Sequence, residues 1–374
     1  MIFSKKSILT AAFFLLVLCP CAVISQTQER PLTSQEIVSL VYQLPRNPQK
    51  RDEIVELIRR RGIGFPLTDG MRALVATKSG NDALLRRTLE EAERRRVNPS
   101  ESKLPPEAEA NETLERTRNV TLAAANAMPD FLVKQLIRRY VAYGNTTNWV
   151  SQDNLAIAVG FRANSGEEYK VLSVNGVPAG EDVKSTRDYG RYVKGASSSG
   201  TEYISALADI FRPEAKAEFR LVDTDVVRER RAVVFEYVVK KENSRLGLTY
   251  GGTAETIAGS RGRIWIDREL DRVIRFEQIF TEIPAGFPIT ASSTLIDYDW
   301  VMIGERKYLL PIRSEVLITS NQGSMILQSR NDVRFRSYQK FGAELKVIDE
   351  IGEDDDPADQ PPPPPKLIPP VKKP

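Results

Sequence analysis

The spacing of apolar residues divides the chain into a helical first part and a stranded second part. Residues 31–97 place apolar side chains every three or four positions, the period of a helix with one buried face. From Phe131 onward the period is two, which is typical of strands that bury one face. The clearest alternating set consists of Leu155, Ile157, Val159 and Phe161.

The first part, residues 31–97, is predicted to form a small all-α module. Thr33 followed by Glu36 is a capping-box pattern that begins a helix, and the phrase Pro-Leu-Thr recurs at 66–68 before another helix. Asn81 or Asp82 is expected to cap the last helix. Two interpretations stay open, a four-helix bundle with a structural role and a module that docks a partner.

Two runs of three arginines lie in this module, at 59–61 and 94–96. They are predicted to be solvated helix ends, where cations interact favourably with the helix macrodipole.

A linker is predicted at 98–112, followed by a helix at 112–127 and an antiparallel β domain that extends over 113–348. Residues 131–141 fit either a helix or a strand. Asn175-Gly176 is a strong tight-turn signal, and 205–211 is the one later stretch with a helical pattern.

Consecutive hairpins with one apolar face predict a large curved antiparallel sheet that must close, be covered or hold a ligand. The predicted fold class is therefore α+β, a small all-α module followed by a large open antiparallel sheet.

The two ends of the chain are predicted to lie outside the folded part. Residues 1–25 have the basic and apolar regions of a cleaved signal peptide, although an uncleaved anchor and lipidation of Cys21 stay open. Residues 349–374 combine an acidic run at 353–356 with a proline run, and this composition predicts a disordered tail with polyproline character. No later segment is apolar enough to span a membrane.

Composition excludes several kinds of chemistry. The chain contains no histidine, and its cysteines, Cys19 and Cys21, lie in the predicted signal peptide. The mature protein would then lack an imidazole base, a thiolate nucleophile and a His/Cys metal site. The charge is nearly balanced, with 53 Lys+Arg against 50 Asp+Glu, so nothing argues for nucleic acid.

Paired carboxylates are the remaining catalytic possibility, since glycoside hydrolysis needs only Asp or Glu at the correct separation. The candidates are better explained as turn or outward-facing residues, and the chain is predicted not to be an enzyme. These candidates are Asp267, Asp271, Asp297 and Asp299.

Three stretches carry a family resemblance. The first is Pro129-Asp130-Phe131, which leads from a short helix into the first long strand. The second is a strand, turn and strand, with Arg263-Ile264-Trp265-Ile266-Asp267 before the turn and Arg272-Val273-Ile274-Arg275-Phe276 after it. The third is the following pair of strands, with Asp297-Tyr298, Gly304 and Tyr308-Leu309-Leu310-Pro311. Through them, residues 113–341 resemble the LolA/LolB-like group of periplasmic lipoprotein and lipid carriers. The whole chain also looks like uncharacterised secreted proteins of soil bacteria such as acidobacteria.

The resemblance implies an unclosed antiparallel barrel with a helical lid, an apolar cavity for acyl chains, no cofactor and no catalytic residue. We therefore expect a non-catalytic periplasmic or secreted protein that binds a lipid, a lipoprotein acyl chain or another apolar ligand. Apolar strand faces are more often core than ligand wall, but together they could line such a cavity. The candidate ligand-binding residues are Leu155, Ile157, Val159, Phe161, Ile296, Tyr298 and Trp300.

The alternative is a structural or interaction protein of the cell envelope. In that case the sheet is filled by its own side chains, and the helical module and Pro-rich tail dock a protein partner.

Overall fold

A computed structural model describes residues 29–100, 102–162, 166–179, 204–251, 254–323 and 325–340. The predicted signal peptide at 1–25 and the predicted tail at 349–374 lie outside these residues. The described residues from Pro31 onward form one compact unit.

The described helices and strands follow the order that the sequence pattern predicts, with helices first. The helices are α1 (Ser34–Val41), α2 (Arg51–Arg61), α3 (Asp69–Lys78), α4 (Ala83–Val97), α5 (Glu107–Asn126) and α6 (Ile204–Phe211). The strands are β1 (Phe131–Tyr143), β2 (Val150–Arg162), β3 (Gly166–Val174), β4 (Val177–Pro178), β5 (Glu218–Val227), β6 (Arg230–Val239), β7 (Gly247–Tyr250), β8 (Ala254–Ile257), β9 (Gly259–Asp267), β10 (Arg272–Thr281), β11 (Ile289–Ile303), β12 (Arg306–Gln322) and β13 (Met325–Lys340).

Among the described strands, eleven form one sheet in the order β4-β3-β2-β1-β13-β12-β11-β10-β9-β6-β5, and β7 pairs with β8 in a separate hairpin. Every neighbouring pair is antiparallel. The chain enters the sheet near its middle, at β1, and its last strand returns to pair with β1. The edges are β4 and β5, so the sheet is open. The predicted α+β class, a large open antiparallel sheet after a small helical module, is confirmed.

Local sequence signals account for the ends of these elements. Thr33 and Glu36 form the predicted capping box, with each backbone N–H donating to the other residue's side chain. Thr68 and Asp82 cap α3 and α4 through side-chain oxygens. The β3–β4 turn has the positive φ angles that Asn175 and Gly176 tolerate, 51° and 79°.

The structure moves one boundary that the sequence predicts and decides one stretch that the sequence leaves ambiguous. The predicted linker ends early, because α5 begins at Glu107 rather than at 112, directly after Pro106, and its first turn has acidic residues that interact favourably with the helix dipole. The ambiguous stretch 131–141 is strand, since β2 and β13 satisfy its backbone from both sides.

The sheet has a helical layer on each face. On the face that we call the apolar face, α5 and α6 pack against β6, β9, β10 and β11. The hairpin of β7 and β8 covers apolar side chains of β10, β11 and β12. The opposite face, which we call the charged face, contacts α2 and α4 of the helical module, whose own apolar core is formed by α1 to α4.

The turn between α3 and α4 attaches the module to the strands through Gly80. The Gly80 carbonyl accepts a hydrogen bond from Arg330 Nη1 at 2.5 Å, and the Arg330 guanidinium lies against the rings of Tyr140 and Trp149. Gly80 has a φ of +63°, and an added Cβ would lie 2.6 Å from Trp149 Nε1. The close approach therefore needs glycine.

We predict that Gly80→Ala destabilises the protein by about 2–4 kcal/mol, since it combines a left-handed backbone with a steric clash. The matched control is Gly144→Ala, because Gly144 has a φ of +69° and open space where an added Cβ would lie. Urea unfolding of both variants separates the backbone cost from the clash. Equal losses in the two variants would contradict the packing role of Gly80.

Candidate functional site

The β2 members of the predicted site lie together on the apolar face. Leu155, Ile157 and Val159 are buried, and Phe161 is half-buried. They pack with apolar side chains of neighbouring strands into a group that we call the rim cluster. Its buried members are Met128, Phe131, Val133, Ile137, Leu155, Ile157, Val159, Ile303, Leu310, Val333 and Phe335.

The β11 members lie elsewhere on this face. Ile296 and Tyr298, which are 0% and 1% exposed, belong to the group beneath α5 and α6, which we call the covered cluster. Trp300 is half-buried and pairs with Leu309, a residue that packs against the covered cluster. The seven predicted residues are thus divided between two areas of one face.

The two clusters differ in their cover. Over the covered cluster, α6 inserts Leu207, Ile210 and Phe211, all fully buried. In the rim cluster, the described members outside the strands are Met128 and, at its margin, Ala124 and Ala125 of α5. Among the described residues, fewer helical side chains therefore pack on the rim cluster than on the covered cluster.

Aromatic side chains border the rim cluster. Phe131 and Phe161 stack with ring centroids 5.0 Å apart, and Tyr338 lies 5.6 Å from Phe131. Half-buried Tyr169 and Tyr308 also pack here. Sequence reasoning missed these tyrosines, although Tyr169 pairs directly with Val159 and has the same strand alternation.

Two cavities lined by described residues are small. One, beside α6, has a volume of about 20 Å³ and is lined in part by Asp209, Arg245 and Gln278. The other, about 10 Å³, lies between the helical module and the sheet. Each is roughly large enough for one water molecule. No residue of the rim cluster lines either of these two cavities.

The charged face holds the feature that the sequence did not predict. Arg59 of α2 donates two hydrogen bonds to Glu277 of β10, from Nη1 to Oε1 at 3.2 Å and from Nη2 to Oε2 at 2.6 Å. The two side chains are 3% and 2% exposed. Burial alone would raise the pKa of Glu277, but the Arg59 guanidinium, together with Arg263 and Arg51, outweighs burial and lowers it. Glu277 is thus held as a buried carboxylate.

Asp297 of β11 forms a second buried ion pair. Its Oδ2 accepts from Arg87 Nη2 at 2.7 Å and its Oδ1 from Arg275 Nε at 2.7 Å. Burial opposes ionisation, yet Arg275 and Arg87 hold the pKa of Asp297 well below its usual range. The prediction that Asp297 faces outward is therefore wrong, because α4 covers that side of the strand. Asp267, by contrast, is the predicted turn residue and accepts hydrogen bonds from two turn N–H groups.

The second arginine run completes this interface. Arg94 Nη2 lies 2.6 Å from Asp225 Oδ1, and Arg95 Nη1 lies 2.7 Å from Asp223 Oδ2. With Arg59, these residues show that the prediction of solvated arginine runs is wrong for their sheet-facing members. The sequence signal that could have indicated these ion pairs is the presence of arginines on two helices of the module together with carboxylates at alternate positions of the strands.

Two acids in the interface are less well compensated. Burial raises the pKa of Glu91, and Asp225 raises it further. Burial, together with Asp82 and Asp332, raises the pKa of Glu315 to about 7. Glu315 also lines the 10 Å³ cavity. This part of the interface is therefore sensitive to pH.

The carboxylates of the charged face have a structural explanation, since Asp223, Asp225, Glu277 and Asp297 each accept from an arginine. Within the described ranges, no three His, Cys, Asp or Glu side chains are grouped to hold a metal ion. No helix in the described part of the chain is long and apolar enough to cross a membrane.

Comparison with known proteins gives only distant structural matches. No family model matches the chain, and none of the curated proteins matches it significantly. A LolA superfamily protein from Nitrosomonas europaea is similar at 10% identity and a TM-score of 0.31, over 62% of this chain and 93% of that chain. A DUF1329 family protein from Desulfovibrio piger is similar at 8% identity and a TM-score of 0.28, over 64% of this chain and 98% of that chain.

The MucA/MucB complex of Pseudomonas aeruginosa is also similar, at 11% identity and a TM-score of 0.18, over 60% of this chain and 94% of that chain. The LolA superfamily is the group that the sequence resembles. Superpositions this poor carry no argument about a ligand or partner of this chain, whose function has to be inferred from its own geometry.

We predict that Glu277→Gln destabilises the protein by about 3 kcal/mol, because it leaves the Arg59 guanidinium buried without a compensating charge. Glu36→Gln is the control, since Glu36 pairs with Arg61 at a more exposed position, where such pairs contribute about 1 kcal/mol or less. Thermal or urea unfolding measures both. Similar small losses would show that the Arg59–Glu277 pair does not hold the module.

We predict that Glu315→Gln stabilises the protein at pH 8 and has little effect at pH 4.5. The folded state binds the Glu315 proton more tightly than the unfolded state does, so the contribution of this residue to stability falls as pH rises from about 4.5 to about 7. The gain at pH 8 should be about 3 kcal/mol. Urea unfolding of parent and variant at both pH values checks the sign, and a loss at pH 8 would contradict it.

Proposed function

We propose that this chain is a non-catalytic binding protein that takes the acyl chain of a lipid or lipoprotein, or another apolar ligand, at the rim cluster of the apolar face. The observation that supports this most is that, among the described residues, few helical side chains pack on that cluster, where half-buried aromatic residues surround a buried aliphatic floor. Leu155, Ile157 and Val159 form part of the floor, and Phe161 lies at its margin.

Binding would draw on burial of apolar surface, which gives about 0.8 kcal/mol for each methylene removed from water. Because Leu155, Ile157 and Val159 of the floor are at most 2% exposed, we propose that the ligand displaces side chains at the margin rather than entering an open tunnel. Tyr169, Tyr308 and Tyr338 are the half-buried side chains placed to move.

Ile296 and Tyr298 would be reached only by a ligand that displaces α6, since both belong to the covered cluster into which α6 inserts. We therefore place Leu155, Ile157, Val159 and Phe161 at the ligand and assign Ile296 and Tyr298 to the core beneath α6. In this proposal Trp300, half-buried on β11, lies at the far end of the ligand path.

We also take residues 1–25 as an export signal, which places the protein in the periplasm or outside the cell. The alternative, docking of an envelope partner through the helical module, is less well supported. Arg59, Arg94 and Arg95, the most distinctive residues of that module, bind the sheet of the same chain.

We predict that Phe161→Asp weakens binding of the fluorescent fatty acid cis-parinaric acid by about tenfold or more, because a carboxylate at the margin must be desolvated when an acyl chain covers it. Fluorescence titration of the full chain, purified without detergent, measures the dissociation constant.

The control is Leu136→Asp, which places the same carboxylate on the neighbouring strand but on the charged face, where Leu136 is 36% exposed. It should bind the probe as the parent does. A folded Phe161→Asp variant with parental affinity, or an equal loss in both variants, would refute the rim cluster as the binding site. Circular dichroism shows that each variant is folded.

A further inference from the structure

The margin of the rim cluster contains a carboxylate among its aromatic side chains. Glu167 of β3 pairs directly with Phe161 of β2, and Tyr169 pairs with Val159. Directly paired residues project from the same side of a sheet, and so do residues two positions apart on one strand. Glu167 therefore lies on the apolar face, beside the half-buried side chains of Phe161 and Tyr169.

The carboxylate of Glu167 is only partly satisfied. Its Oε2 accepts a hydrogen bond from the Tyr169 hydroxyl. Among the described residues, no arginine or lysine forms an ion pair with it. Burial raises the pKa of Glu167, and the hydrogen bond from Tyr169 lowers it by less. An ionised carboxylate has about four acceptor sites, so sites remain for a ligand.

The buried carboxylates of the charged face are compensated differently. Arginines hold the pKa values of Glu277 and Asp297 below their usual range. Even Glu91 and Glu315, whose pKa values are raised, are stabilised in part by arginines. A carboxylate removed from water without a cation is costly to the folded state. Glu167 is thus a group that a positive charge on a ligand would stabilise.

The charged residues around Glu167 leave this position open. Glu168 and Lys170 alternate with Glu167 along β3, so they project from the charged face. On the apolar face, Lys340 of β13 pairs with Phe131 of β1 and is exposed. Three strand spacings separate the backbones of Lys340 and Glu167 by about 14 Å. No ion pair joins these two described side chains.

A ligand can approach Glu167 from the edge of the sheet. Strand β4 pairs with Ser173 and Val174, at the other end of β3. In the described part of the sheet, no strand therefore lies outside β3 at Glu167, and this side chain is half-buried rather than enclosed. The floor of the rim cluster begins on the next strand inward, at Val159.

We propose that Glu167 binds a positively charged head group of the apolar ligand, the ammonium of an amine-bearing lipid, while the acyl chain extends over Phe161 and the floor. This assignment depends on the proposed function, because head group and acyl chain belong to one ligand. An ammonium would donate a charge-assisted hydrogen bond, which is about twice as strong as a neutral one. A carboxylate head group would instead bring two like charges together.

Competition against cis-parinaric acid tests this assignment on the full chain, purified without detergent. Oleylamine, oleyl alcohol and oleic acid have the same hydrocarbon chain and differ in the head group. Oleylamine should displace the probe at about tenfold lower concentration than oleyl alcohol, and oleic acid should be the weakest competitor. Equal displacement by the amine and the alcohol would overturn the head-group assignment but support the acyl-chain site. A lack of displacement by all three would contradict the acyl-chain site itself.

The variant Glu167→Gln removes the charge and keeps an oxygen that can accept from Tyr169, so it should fold. Its preference for oleylamine over oleyl alcohol should disappear, and it should bind cis-parinaric acid several-fold more tightly than the parent. The control is Glu168→Gln, which removes the same charge from the neighbouring residue, whose side chain is 61% exposed. It should keep the parental preference. A retained preference in Glu167→Gln, or an equal loss in both variants, would refute the role of Glu167.

Discussion

The pairing of buried arginines with buried carboxylates is the constraint on which the arrangement of the helical module depends. Isolated charges are very costly to remove from water, so a charged sheet face can be covered only if each charge meets a partner in good geometry. Arg59 meets Glu277 through two hydrogen bonds, and Arg87 meets Asp297. Because a guanidinium is planar and its N–H donors have fixed directions, these pairs determine where α2 and α4 lie on the strands. The same pairs also attract the two helices to the sheet.

The two faces of the sheet are therefore closed by different forces. On the apolar face, α6 contributes Leu207, Ile210 and Phe211 to a core that depends on removing apolar surface from water. On the charged face, cohesion depends on protonation and on charge balance, as the raised pKa of Glu315 shows. A change of pH can thus act on one helical layer with little direct effect on the other.

Signals confined to a few neighbouring residues made much of the fold predictable. The capping box of Thr33 and Glu36, the turn at Asn175 and Gly176, and the alternation along β2 depend on neighbours in sequence. The module interface depends on residues far apart in the sequence, such as Arg59 and Glu277, which are 218 positions apart. A polar residue at every second strand position looks the same in sequence whether water or a helix covers it, and this is why Asp297 was misplaced.

The same limit applies to the candidate site. Alternation identifies Val159 and Ile296 as apolar-face residues. Only the packing of α5 and α6 shows that Ile296 lies beneath helices, whereas few helical side chains in the described part of the chain pack around Val159. Val159 and Ile296 are both 0% exposed, so the side chains that pack over each of them, and not burial itself, separate the proposed ligand floor from the core. A ligand that binds by burying methylenes gains free energy only where displacing the side chains costs less than the burial contributes. Half-buried tyrosines meet that condition better than α6, a helix with four buried residues in the covered cluster.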